Sequence, residues 1–139
     1  MQPWFLFALL SAFFAAATAI LAKIGIKGVD PDLATAVRTA VILVIAWGIA
    51  IARGQAGGVT SLSPKTLLFL GLSGIATGLS WICYFRALQM GKVTQVQPVD
   101  KASLALALFF AVLFLGESLT AKTALGAGLI VAGTIVLAL

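Results

Sequence analysis

The sequence predicts an all-α membrane protein with five transmembrane helices, and three observations carry that prediction. Its 139 residues are 62% hydrophobic. They hold only 9 Lys and Arg, 4 Asp and Glu, and no His. Soluble domains are usually ~45–50% apolar and ~25% charged. A helix needs ~20 residues at ~1.5 Å each to cross ~30 Å of hydrocarbon, so a chain of this length holds about five crossings. Disorder is excluded by the same apolar excess. The basic surplus does not point to nucleic acid, because Lys and Arg stand singly between apolar runs and form no stripe.

The breakers place the five spans. Span 1 is expected from Pro3 to about Lys27, stopping at Gly28. Its start lacks a basic segment and its apolar run exceeds a signal peptide's core of ~7–15 residues, so it reads as a retained helix. Span 2 follows with Asp30 as cap and Pro31 in the first helical position, and runs to about Ile51 before Arg53 and Gly54. The stretch from Gly54 to Ser63 is the one long polar connection. Ser63 and Pro64 repeat the cap-plus-proline signature and open span 3, which reaches about Met90. Thr94 and Gln97 have the spacing of a capping box, so span 4 is expected to start at Thr94, with Pro98 in its first turn, and to continue to about Leu115. After the Gly116 to Leu119 turn, Thr120 caps span 5, which runs to Leu139. Residues 1–139 thus read as a single transmembrane domain, and no internal repeat is evident within it. Cys83 has no second cysteine to pair with.

An odd number of spans puts the two ends on opposite sides. The N-terminal side carries Arg53, Lys65 and Lys122, and the other carries Lys23, Lys27 and Lys92. Counting the deeper Arg38, Arg86 and Lys101 tips the balance toward the second side being cytoplasmic, yet the bias is slight enough to leave insertion in both orientations open.

The helix faces divide by chemistry. In span 3, Ser73, Thr77, Ser80 and Tyr84 follow i, i+4, i+7, i+11, while Gly71, Gly74 and Gly78 form a neighbouring small face. Ser11 and Thr18 in span 1 make a shorter hydroxyl row. Such hydroxyls either bond to neighbouring backbone or line a polar path. Charge is more telling. Arg38 lies ~12 Å inside span 2, Arg86 ~7 Å from the end of span 3 and Lys101 ~10 Å inside span 4. With Asp100 and Gln97 beside them, they fall toward the same end of the spans, at depths where charge is expensive. Snorkelling with internal pairing is one reading. The other is a positive recess for an anionic or zwitterionic solute, with these residues lining a substrate path or gate. Asp30, Asp32 and Glu117 lie at helix starts or turns and read as caps or dipole partners. In span 5, Ala124, Gly128 and Ala132 recur every four residues without a strong polar group, a pattern better suited to helix packing or dimerisation than to solute.

Several segments together resemble the EamA domain of the drug/metabolite transporter superfamily. They are Tyr84-Phe85-Arg86-Ala87-Leu88-Gln89-Met90-Gly91, Val96-Gln97-Pro98, Leu113-Phe114-Leu115-Gly116-Glu117-Ser118-Leu119-Thr120, Gly126, and Val131-Ala132-Gly133. The likeness covers essentially the whole chain. The usual member has ten helices in two inverted five-helix repeats, so the resemblance implies that this chain is one inverted-repeat unit of a ten-helix transporter architecture. A repeat of odd span number is inverted relative to its fused copy, and the solute site lies at the repeat interface. A lone unit then needs a second, most simply as an antiparallel homodimer. Four-helix multidrug relatives carry a proton-coupling glutamate in the first helix, eight residues before a lysine. Matching that lysine to Lys23 places Ala15 there, which argues against proton-coupled cation export by that route.

The resulting expectation is a transporter of a small polar metabolite, working by alternating access in the lipid bilayer of a prokaryotic plasma (inner) membrane. No covalent chemistry, metal or cofactor is expected. The alternative is a non-transporting membrane assembly, or a partner subunit of a larger hetero-oligomeric complex.

Overall fold

A computed structural model describes residues 3–139, so Met1 and Gln2 lie outside the account below. The helices are α1 (Pro3–Gly25), α2 (Pro31–Ala52), α3 (Pro64–Met90), α4 (Val93–Lys101), α5 (Ser103–Leu115) and α6 (Ala121–Ala138). A short 3-10 helix, Ala56–Ser61, occupies the polar connection between α2 and α3. Five segments are long and apolar enough to cross a membrane, with α4 and α5 together forming the fourth, Val93–Leu115.

Local chemistry explains most of the boundaries. The Asp30 carboxylate accepts the amides of Asp32 and Leu33 at 2.9 and 3.1 Å, and Pro31 takes the first helical position. Ser63 Oγ accepts the Thr66 amide at 3.1 Å, and Thr120 Oγ1 accepts that of Thr123 at 3.1 Å. Each cap supplies a partner to an amide that the first helical turn leaves orphaned. Gly116 ends α5 in the left-handed region at φ 67°, where a side chain would be strained.

Two boundaries depart from the sequence reading. Span 1 was expected to reach Lys27, but α1 ends at Gly25. Ile26 and Gly28, the latter at φ 77°, turn the chain, and the Ile26 carbonyl accepts the Val29 amide at 3.1 Å. The start of the fourth span is Lys92 rather than Thr94. Lys92 has extended backbone, and its carbonyl accepts the amides of Gln95 and Val96 at 3.0 and 2.9 Å, with no side-chain cap. The helix thus begins two residues before the Thr94–Gln97 box. Pro98 then lies in the helix proper, where it lacks an amide and its ring crowds the carbonyl four residues back. The span is interrupted four residues later, at Ala102.

The chain divides into two compact units. Among the described residues, one comprises 3–24 and 90–139, and the other 25–89. In the first, α6 packs on α4 and α5. Its inward face is Thr123, Ala127, Val131 and Thr134, the residues of α6 that are not exposed. Their spacing of i, i+4, i+8, i+11 is one helical stripe. Lys23, near the end of α1, donates from Nζ to the Gly91 carbonyl at 2.8 Å. In the second unit, the Gln89 side-chain amide donates to the carbonyls of Ile26 and Val29, tying the last turn of α3 to the connection before α2. Phe85 and Leu88 are the fully buried side chains of that unit.

Candidate functional site

Charge is organised separately in each unit. In residues 25–89, Arg38 sits in the second turn of α2 and is half-buried. Its guanidinium carbon lies 4.7 Å from the Phe85 ring centroid and 5.3 Å from that of Trp81. Trp81 and Phe85 are four apart on α3, so one helical face presents both rings to the cation. Six residues nearer the start of α2, Asp32 receives Arg86 Nη2 on both carboxylate oxygens, at 3.1 and 3.3 Å. The structure therefore brings Arg38 and Arg86 onto the same α2–α3 pair and gives each a different partner. Among the described residues the ion pairs are Arg86–Asp32 and Lys101–Asp100, and no carboxylate balances Arg38.

The magnitudes make Arg38 the informative group. A basic residue at a helix centre costs ~2.5–3.5 kcal/mol on translocon scales. A cation–π contact returns ~0.5–2 kcal/mol. The two rings offset part of that penalty and orient the guanidinium, leaving it able to accept water or an anion.

The expected hydroxyl row of α3 is present as a row, with Ser73, Thr77 and Ser80 exposed and Tyr84 half-buried. Thr77 Oγ1 donates to the Ser73 carbonyl at 2.9 Å, so that hydroxyl bonds its own helix. The Tyr84 ring packs edge-on against Phe85, at 5.6 Å between centroids. In α1, Ser11 is exposed and Thr18 half-buried.

In the other unit, Gln97 is half-buried in α4. Asp100 Oδ2 and Lys101 Nζ are 3.4 Å apart at the end of that helix, immediately before the interruption. Neighbouring residues on a helix point ~100° apart, so this contact bends both side chains toward each other. Ala124, Gly128 and Ala132 are exposed, on a face of α6 other than the inward stripe. A Cβ added at Gly128 would meet nothing within 4 Å.

Three residues that hold these charges, and a fourth that ties α6 to α4, were not singled out for those roles in the sequence. Asp32 read as a dipole partner, and its tie to Arg86 spans 54 positions. Trp81 and Phe85 carried a usable signal, an aromatic pair at i, i+4 in a span following one with a buried arginine. Thr134, which donates to the Pro98 carbonyl at 3.1 Å, carried none.

The EamA-like transporter family matches residues 2–139. This chain belongs to that family. It is also 47% identical over 137 residues to a protein of Sinorhizobium sp. named "Uncharacterized transporter in cobO 3'region", a match that spans 99% of this chain and 97% of that one. The relative is thus within a few residues of this chain's length. No solved structure matches the chain. Family, relative and five apolar spans together make this an integral, multi-pass membrane protein of transporter type.

Proposed function

We propose that this EamA-family protein carries a small anionic or zwitterionic metabolite across a prokaryotic inner membrane by alternating access, without covalent chemistry. Its working unit is an antiparallel homodimer. The observation that carries the solute class is Arg38, a guanidinium inside a span that two aromatic rings orient and no carboxylate among the described residues neutralises. A guanidinium presents donors in a planar fork that fits a carboxylate. In the other unit, Asp100 and Lys101 form a second charged group, with Gln97 nearby in sequence and the hydroxyls of Ser11 and Thr18. The row of Ser73, Thr77, Ser80 and Tyr84 supplies hydroxyls in the unit of Arg38. The homodimer is supported by the odd span count and by a same-length relative that is itself named a transporter.

Liposomes containing only this protein test the reading against labelled alanine, glutamate and succinate. Saturable uptake of at least one, reduced about tenfold or more by Arg38→Gln, is the expected result. Uptake no greater than in protein-free liposomes for all three would leave the chain as an assembly subunit or as the partner of a second protein.

A further inference from the structure

Helical threonines ordinarily return their hydroxyls to their own backbone. Thr35, Thr39 and Thr77 do so, donating to the carbonyls of Pro31, Thr35 and Ser73 at 2.8, 2.8 and 2.9 Å. Thr134 behaves differently. It is buried, at 9% exposure, and its hydroxyl leaves α6 to reach the Pro98 carbonyl of α4 at 3.1 Å. In a continuous helix that carbonyl would accept the amide of Ala102, four residues on. Here Ala102 donates to Val99 at 3.1 Å instead. The carbonyl released by the interruption is the one Thr134 takes up, and Asp100 and Lys101 lie between it and the break.

We propose that Thr134 is a positioning residue for the Asp100–Lys101 pair. Its hydroxyl fixes the last turn of α4 against α6 and thereby sets where both charged side chains project. Val99 and Asp100 form the short stretch of chain between the anchored carbonyl and Lys101, so the angle of the pair follows the anchor closely. Without the hydroxyl, the turn is free to rotate about the break, because the hydrogen bond that would make the helix continuous is missing. The effect on transport rests on the function proposed above, whereas the effect on the turn does not.

The two parts are measured separately. In a Cys83→Ser background, a nitroxide attached at Val99→Cys reports the mobility of the turn in lipid vesicles. Thr134→Val keeps the side-chain shape and removes the hydroxyl, and it is expected to add a mobile component to the spectrum. Thr134→Ser retains the hydroxyl and is expected to preserve the parent line shape. For whichever of alanine, glutamate or succinate the parent takes up, Thr134→Val should raise KM severalfold with maximal rate within about twofold, and Thr134→Ser should restore it. A Thr134→Val spectrum superimposable on the parent's overturns the proposal. So does a mobile spectrum with unchanged KM, which would reduce Thr134 to a packing residue. Absence of uptake by the parent itself would instead defeat the transport reading, while the spectra still decide whether Thr134 holds the turn.

Discussion

Arg38 and the Asp100–Lys101 pair are the residues on which transport should depend, because each places charge where the surrounding span is apolar. Asp100→Asn and Lys101→Gln are each expected to lower uptake by about tenfold, a loss on the order of 1.4 kcal/mol of transition-state stabilisation, while the protein stays folded. Circular dichroism and uptake on the same preparation check both halves of that statement. The Arg86–Asp32 pair differs. Its side chains are 60% and 54% exposed, and where water reaches such a pair near the helix ends it contributes ~0.2–1 kcal/mol. Asp32→Asn should therefore shift the thermal midpoint in detergent by no more than a few degrees. A shift of ten degrees or more would mean the pair is far less screened than its exposure implies. The difference in what could be read beforehand has a physical basis. Asp30 acts on amides two and three residues away, so its cap is legible in the sequence. Asp32 reaches a partner in another helix, and nothing in the linear order distinguishes that from a dipole partner.

At the level of elements, turn and cap chemistry located most boundaries, and the fourth span shows where that reasoning runs out. The Thr94–Gln97 spacing has the form of a cap, yet the helix starts wherever a carbonyl first finds its amides, and Lys92 does so without any side chain. That shift moves Pro98 from the first turn deeper into the helix, and the interruption at Ala102 follows four residues later. The loss is partly offset by Thr134, and interhelical hydrogen bonds in membranes average ~0.6 kcal/mol, reaching ~1.7. Pro98→Ala supplies an amide for the Thr94 carbonyl, and if the bend at the proline is what displaces the Ala102 amide, the deuterium-exchange protection of Ala102 should rise with it. Unchanged protection would place the cause of the break elsewhere. In α6, Gly128→Leu adds its first side-chain carbon where nothing lies within 4 Å. It should leave the fold and thermal midpoint intact while weakening self-association by about tenfold in a dilution series. An unchanged dimer population would remove this face from the interface.

For the whole molecule, five crossings were legible because long apolar runs and their breakers are a one-dimensional signal. The partners of Arg86 and Thr134 were not, because they depend on which helices lie side by side. Among the described residues only Ala19, Ile26, Phe85, Leu88, Thr35 and Thr134 are buried. So little burial suits a unit whose remaining faces meet lipid or a second protomer. The proposed working unit is a five-span chain completed by an inverted copy of itself, and topology tests that most directly. A Gly58→Cys substitution in a Cys83→Ser background places one thiol in the exposed connection between α2 and α3, where a Cβ meets nothing within 4 Å. Membrane-impermeant maleimide applied to sealed cells, and then after permeabilisation, counts the copies facing each way. Comparable fractions labelled in the two steps are the outcome for opposed protomers. Labelling of every copy from one side alone would contradict the antiparallel homodimer and require a different second half.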